Sequence, residues 1–328
     1  MKEIDVHNEQ HKSMSMISST AQSPSSSSPT TPKSLHCNTE TIEGLISMKD
    51  QQDIHNTISA MLKREVNYLS NNYLKVSKIS ISDRAKVCKW VFDIVDRLKL
   101  HHETAIVAIS YLDRVCSSAS SSRAAKARGD RNEYQLVAVS SLFIAIKILE
   151  LNILSADMLS YITKNMYTQD EITSCEEDIL DALEWKMFGP TSVQFVDYIL
   201  ALLPGDMIKA KIQLHDESYR QLTTIDYGCV PLRRSSLALA AVLNSLEHMH
   251  ESILSSDMKF RYLEEISTAF DVDNVQTSPL IKAVRGRLHD MMFSCCRQGQ
   301  KLCTEQCVQH NVRRVSVEES DMPSARAA

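Results

Sequence analysis

Glu133 to Glu150 reads EYQLVAVSSLFIAIKILE. Between Leu136 and Leu149 every side of a helical wheel carries an apolar or small residue, and Lys147 is the only charge. A helix that is apolar all round is stable in water only when other helices wrap it. The stretch therefore predicts the axial helix of an all-α bundle. A membrane span needs about 20 mostly apolar residues, and this run is too short and too broken by Ser140, Ser141 and Lys147 to be read as one. What the lysine at its end is for becomes the central question.

Composition narrows the class. A chain of 328 residues has room for two domains, each with its own core. A net charge of -5 and a pI near 6.1 carry no electrostatic footprint for nucleic acid, so protein partners are expected. Nine cysteines, mostly within apolar helical stretches and with no signal peptide read at the start, fit a reducing compartment without disulfides. Seven glycines and eight prolines, beside abundant Leu, Ala, Ser and Ile, predict helices joined by short turns.

Working outward, residues 1–50 are read as a disordered tail, rich in Ser, Thr and Pro around AQSPSSSSPTTPKS. Ser23, Ser28 and Thr31 each precede a proline and are candidate phosphosites. From Gln51, Ile54, Ile58, Leu62, Val66 and Leu69 recur near the helical repeat and predict a helix leaning on the segment next to it in sequence. Ser82 is expected to cap the next helix, with Val87, Val91, Ile94 and Leu98 inward. ETAIVAISYLDRV forms another, and a serine-rich loop carrying Arg123, Lys126, Arg128 and Arg131 leads into the axial helix. SADMLSYITKNM and EITSCEEDILDALEWKM, the latter opened by a Thr168–Glu171 capping box, complete a five-helix unit before Gly189-Pro190.

The pattern then repeats. Thr191 caps a helix, and Ile208, Ile212, Tyr219 and Leu222 mark a second amphipathic one. SSLALAAVLNSLE is again apolar or small nearly all round, with Leu237 standing for Leu136 and Leu243 for Leu142. This pattern implies an internal duplication, the second copy ending with a helix opened by Ser278-Pro279. The expected domains are 51–190, holding the first helix and first unit, and 191–296, holding the second, with a polar, disordered tail over 297–328.

No catalytic constellation is present: there is no Gly-rich phosphate loop, Gly-x-Ser-x-Gly, His-Glu-x-x-His or paired Cys-x-x-Cys. Cys303, Cys307 and His310 are spaced so as to invite zinc, but structural sites present two tighter ligand pairs, so neither metal nor other cofactor is expected. His248 and His250 are read as partners of terminal helix carbonyls. What stands out is four charges inside packed helices, Arg84, Asp113, Lys147 and Glu176. A buried ion needs a partner. An internal pair is favoured for Arg84 and Asp113; for Lys147 and Glu176 an internal pair and a partner protein stand equally open.

Taken in order, RAKVCKWVFDIV, LHHETAIVAISYLDR, YQLVAVSSLFIAIK, YTQDEI and EWKMFGPTSVQF resemble the cyclin box, with continuous coverage from about residue 54 to 204. The five signature positions of the box correspond to Arg84, Asp113, Leu136, Lys147 and Glu176. The second unit resembles the more divergent C-terminal cyclin fold. The resemblance implies two tandem five-helix domains and a non-enzymatic regulatory subunit that binds and activates a cyclin-dependent serine/threonine kinase in cell-cycle control, working in nucleus and cytoplasm. It implies that Lys147 and Glu176 clamp main-chain groups beside the kinase's mobile helix, within an apolar surround of Ile144, Ile148, Leu180, Trp185 and Met187. Arg84 and Asp113 would form a structural ion pair and Leu136 would belong to the box core.

The departures concern substrates. The family's docking patch opens with Met-Arg-Ala-Ile-Leu, where this chain has Asp83, Arg84, Ala85, Lys86 and Val87. Val87, Trp90 and Gln135 remain of that patch, so recruitment of kinase substrates or inhibitors through Arg-x-Leu motifs is expected to be altered. The acidic pair after the clamp lysine is reduced to Glu150. No N-terminal destruction box is read. LHCNTE nearly matches the Leu-x-Cys-x-Glu motif by which D-type cyclins bind pocket proteins, with Thr39 where Glu is needed, and leans toward a growth-phase role. The alternatives are a cyclin-like scaffold that activates no kinase and a transcription-factor-type cyclin fold binding nucleic acid, which the acidic charge and the missing zinc ribbon disfavour.

Overall fold

The computed structural model describes residues 51–151, 154–223 and 226–297, with side chains described to Met291. The two tails, with Ser23, Ser28, Thr31, the LHCNTE segment and the Cys303–His310 cluster, lie outside the described residues. Those that are described form twelve α-helices and no strand. In order they are α1 (Gln51–Glu65), α2 (Ile81–Leu98), α3 (His102–Ser117), α4 (Ser122–Gly129), α5 (Arg131–Leu149), α6 (Ala156–Ile162) and α7 (Gln169–Ala182). Then come α8 (Ser192–Ala201), α9 (Ile208–Leu222), α10 (Arg234–His248), α11 (Ser256–Ala269) and α12 (Pro279–Arg297).

α5 is the axis of the first unit. Asp130 caps it through the Asn132 and Glu133 amides, and every residue from Leu136 to Ile146 is buried. It is long and apolar enough to cross a membrane by composition, but packing between α3, α4 and α7 consumes that surface. α10 plays the same part in the second unit, with Ser235 to Leu246 buried. The expected correspondence holds in burial, since Leu136 and Leu237 are both 6 % exposed. Burial pushes the Cys88 thiol up to about 12 and that of Cys175 to about 11, so both serve as small core residues.

Four local expectations are corrected. Ser80, not Ser82, caps α2: its hydroxyl accepts from the Asp83 amide at 3.1 Å while Asp83 Oδ2 accepts from the Ser80 amide at 3.1 Å. A capping box needs an acid three residues on, and only Ser80 has one there. The serine-rich segment is no loop, because Ser121 caps α4 and Ala124 and Ala127 bury against the bundle. Small side chains three apart let a short helix approach closely, a signal hidden beneath a loop-like composition. The first unit thus has six helices.

The first helix leans not on its neighbours in sequence but on the second unit. Ile54, Ile58 and Met61 join the core of Phe195, Leu214 and Val242, while Val66 and Leu69 are exposed. Finally, α9 buries Ala210, Lys211, Leu214, His215, Ser218 and Gln221 rather than the face of Ile208, Ile212, Tyr219 and Leu222. Beside Ala210 and Leu214 its inward face carries a polar seam: Gln221 Nε2 donates to Ser245 Oγ at 3.1 Å and Asn244 Nδ2 donates to Gln221 Oε1 at 3.0 Å. Buried polar groups that satisfy one another leave no hydrophobic mark at their positions.

Candidate functional site: the Lys147–Glu176 surface

The Thr168–Glu171 capping box opens α7 and turns Ile172, Cys175 and Ile179 inward, where Ser140 Oγ of α5 donates to the Ile172 carbonyl at 3.2 Å. That rotation leaves Glu176 and Leu180 beside the inward stripe, facing the end of α5. Lys147 Nζ lies 2.7 Å from Glu176 Oε1 and 2.8 Å from Oε2. It also lies 4.1 Å from the centroid of the Phe143 ring. A cation in the last turn of α5 is favoured by the helix dipole, and the aromatic face adds a cation–π contact. Both charges are thus partnered within the chain, yet the lysine side chain is 38 % exposed and the glutamate 12 %. The lysine head therefore reaches solvent, while the glutamate is mostly covered.

The apolar surround divides. Ile148 and Leu180 are half-buried at the rim of the pair's helices. Trp185 is 67 % exposed, carried outward by left-handed backbone at Glu184 and Trp185, with φ of 51° and 57°. Ile144 and Met187, by contrast, are core residues at 2 % and 7 % exposure and present no surface in this chain. Ile144 lies on the inward face of the axial helix, and the Met187 carbonyl is fixed by the Tyr111 hydroxyl at 3.0 Å. Sequence reasoning missed Phe188, 69 % exposed three residues after Trp185. Its backbone is pinned, with Arg114 donating to the Lys186 carbonyl at 2.7 Å and Arg64 to that of Phe188 at 2.5 Å. An aromatic just before Gly189-Pro190, where no helix can bury it, was the available signal.

Glu150 accepts from the His101 amide at 2.9 Å and from Thr104 Oγ1 at 2.5 Å. It is a capping group for α3, not a free acid. Arg84 Nε and Nη2 donate to Asp113 Oδ1 and Oδ2 at 3.0 and 2.8 Å, with the Tyr73 hydroxyl on Oδ1 at 2.8 Å. Arg84 also lies over the ring of Tyr227, whose hydroxyl accepts from the Leu74 amide at 2.9 Å. The pair thereby sits where the two units meet.

In the altered docking patch, Val87 is buried while Trp90 and Gln135 are half-buried. Asp83 does not put a free charge there, because Ser80 and Arg131 Nε, at 3.1 Å, hold its buried carboxylate. Lys86 alone brings an exposed charge among these substitutions. The basic cluster is likewise engaged: Arg123 bonds Asp178 and Glu133, and Arg128 bonds the Cys116 and Ser118 carbonyls. Among the described residues no group of three or more His, Cys, Asp or Glu is placed to hold a metal.

Residues 56–188, which hold all five signature positions, match the family model "Cyclin, N-terminal domain". That segment of the chain is similar to the N-terminal domain of cyclins. It is 28 % identical over 194 residues to Cyclin-A3-2 of Oryza sativa subsp. japonica, covering 58 % of this chain and 48 % of that cyclin. It is 32 % identical over 166 residues to Cyclin-A3-3 of Arabidopsis thaliana, covering 50 % and 48 %. To G1/S-specific cyclin-D1 of Danio rerio it is 24 % identical over 253 residues, covering 74 % and 81 %. The chain thus spans about half the length of those two A3 cyclins.

Proposed function

We propose that this chain is a cyclin, a non-enzymatic regulatory subunit that binds and activates a cyclin-dependent serine/threonine kinase. The observation that carries the reading is the Lys147–Glu176 pair itself. Its lysine head reaches solvent, the pair joins two core helices, and apolar Ile148, Leu180 and Trp185 lie on the same two helices and the turn after them. Rigid helices hold both heads, so a kinase backbone could take hydrogen bonds from the ammonium and give them to the carboxylate without refolding either partner. Burying Trp185 and Phe188 would supply apolar area that the free chain leaves in water. Held inward by such contacts, the kinase's mobile helix would bring its glutamate to the phosphate-binding lysine and free the activation loop. This cyclin would then do no chemistry of its own.

The test is co-purification with a panel of cyclin-dependent kinases, scoring phosphate transfer to a generic substrate. Activity with one kinase that collapses for Lys147→Ala with Glu176→Ala, in a variant of unchanged helicity, supports the reading. If folded wild-type chain binds none of the panel, the reading fails and a scaffold role replaces it.

A further inference from the structure

Between the two units lies a cavity of about 60 Å³ whose polar lining includes Arg84, Asp113 and Ser110 on one side and Ser192, Asp226 and Arg234 on the other, the rest being largely apolar, Phe92 and Leu288 among it. A single water occupies about 10–15 Å³ on such a measure. The space therefore holds a few waters or one small oxyanion.

The polar groups around it are unevenly satisfied. Asp113 is taken by Arg84 and Tyr73, and Asp226 by Arg287. Arg234 has no ion pair among the described residues; its side-chain hydrogen bond is a long one, 3.5 Å to Ser110 Oγ. A guanidinium offers five N–H donors, so most of its capacity is unused. Ser192 lines the same cavity, and its side chain makes no hydrogen bond among the described residues.

Arg234 is also badly placed for a cation. It is the first residue of α10, where the helix dipole is positive. The dipole's natural counter-charge, Glu65, is committed to Ser235. Loss of solvent pushes the Arg234 pKa down; the Asp113 carboxylate opposes this more strongly than the neighbouring Arg84 adds to it, and the net direction is down. Arg114 feels Arg234 as a further like charge. Two guanidiniums, Arg84 and Arg234, and two carboxylates, Asp113 and Asp226, line the cleft; Asp113 is engaged by Arg84 and Asp226 by Arg287, which leaves the Arg234 charge without an ion pair of its own.

We propose that this cleft binds a small tetrahedral oxyanion of the phosphate or sulfate class, held by the Arg234 guanidinium and the hydroxyls of Ser110 and Ser192. These donors come from α10, α3 and α8, three elements that line the one cavity. A tetrahedral anion has acceptor oxygens for all three, whereas a planar carboxylate has two. Bound there, the anion would join the first unit to the second at the level of the Arg84–Asp113 pair, and would be released as the units part.

Isothermal titration of inorganic phosphate into the full chain, at ionic strength held constant with chloride, tests this directly. Saturable binding is expected for phosphate and sulfate but not acetate. It should weaken by roughly tenfold or more in Arg234→Gln, as loss of a charged hydrogen-bond donor implies. Ser192→Ala, which leaves α10 intact, should weaken it by a smaller factor and covers the case in which Arg234→Gln misfolds. No saturable heat from folded wild type up to millimolar phosphate, or equal binding by a folded Arg234→Gln chain, would overturn the assignment.

Discussion

Glu65 and Ser235 are joined across 170 residues of chain: the Glu65 carboxylate accepts from the Ser235 amide at 3.0 Å and from its hydroxyl at 2.6 Å. The acid is 1 % exposed. It ends α1 and caps α10, so a helix that precedes the first unit in sequence is bolted to the axis of the second.

Replacing Glu65 with Ala should therefore cost stability out of proportion to its size. Two charge-assisted bonds vanish and two buried donors are left without acceptors, together about 3 kcal/mol. Urea unfolding would show the midpoint fall, and proteolysis would open α1 first. A midpoint within error of wild type would mean that α1 is not held through this contact.

The Arg84–Asp113 pair predicts a sharper asymmetry. Removing one partner leaves the other charged and buried, so Asp113→Ala should destabilise by about 3–5 kcal/mol. Arg84→Met with Asp113→Leu removes both charges and keeps apolar volume, and should recover part of that loss. A double-mutant cycle in urea measures it. Additive single effects would show the two side chains to be uncoupled.

How legible each element was in the sequence depends on how it is held. α5 and α10 could be read because burial on all sides leaves a run of apolar and small residues with no polar face, and the 101-residue offset of Leu136 and Leu237 repeats it. The Thr168–Glu171 and Thr191 caps are local chemistry and were equally plain. α9 was misread because Gln221, Asn244 and Ser245 satisfy one another in the interior, and amides have no periodic hydrophobic trace. α1 was misplaced because nothing local in Ile54, Ile58 and Met61 says which of two cores they enter. At the Lys147–Glu176 surface the two charges were legible as residues that helices do not spend on a core. That they meet each other in the free chain, and that Phe188 stands out beside them, required coordinates.

Asp83 should make stability fall in acid. Burial alone would raise its pKa, but hydrogen bonds from the Ser80 side chain and backbone and the Arg131 guanidinium outweigh that and hold it below its ordinary 3.8. A carboxyl depressed on folding contributes stability that is complete above the unfolded value and disappears as pH drops through the folded one. Asp83→Asn should accordingly be less stable at neutral pH and show a shallower loss below pH 3.8. Urea midpoints taken from pH 6 downward give the comparison, and parallel curves for the two proteins would refute it.

Two glycines contrast in what an added methyl would meet. At Gly189 a Cβ would overlap the ring of Tyr68, which lies under the Arg114 guanidinium at 4.9 Å. Arg114 in turn holds the Lys186 carbonyl, so the ring cannot move without loosening the Trp185–Phe188 turn. At Gly228 the obstacle is the end of the Arg287 side chain, which can swing into solvent at the cost of its pair with Asp226. Overpacking against a fixed ring costs about 1–3 kcal/mol, whereas a surface ion pair is worth about 0–1 kcal/mol. Gly189→Ala should thus lower the unfolding midpoint clearly and shift Trp185 fluorescence, while Gly228→Ala stays near wild type. The reverse order would place the rigid contact at Arg287 and leave the turn before Pro190 held by something other than Tyr68.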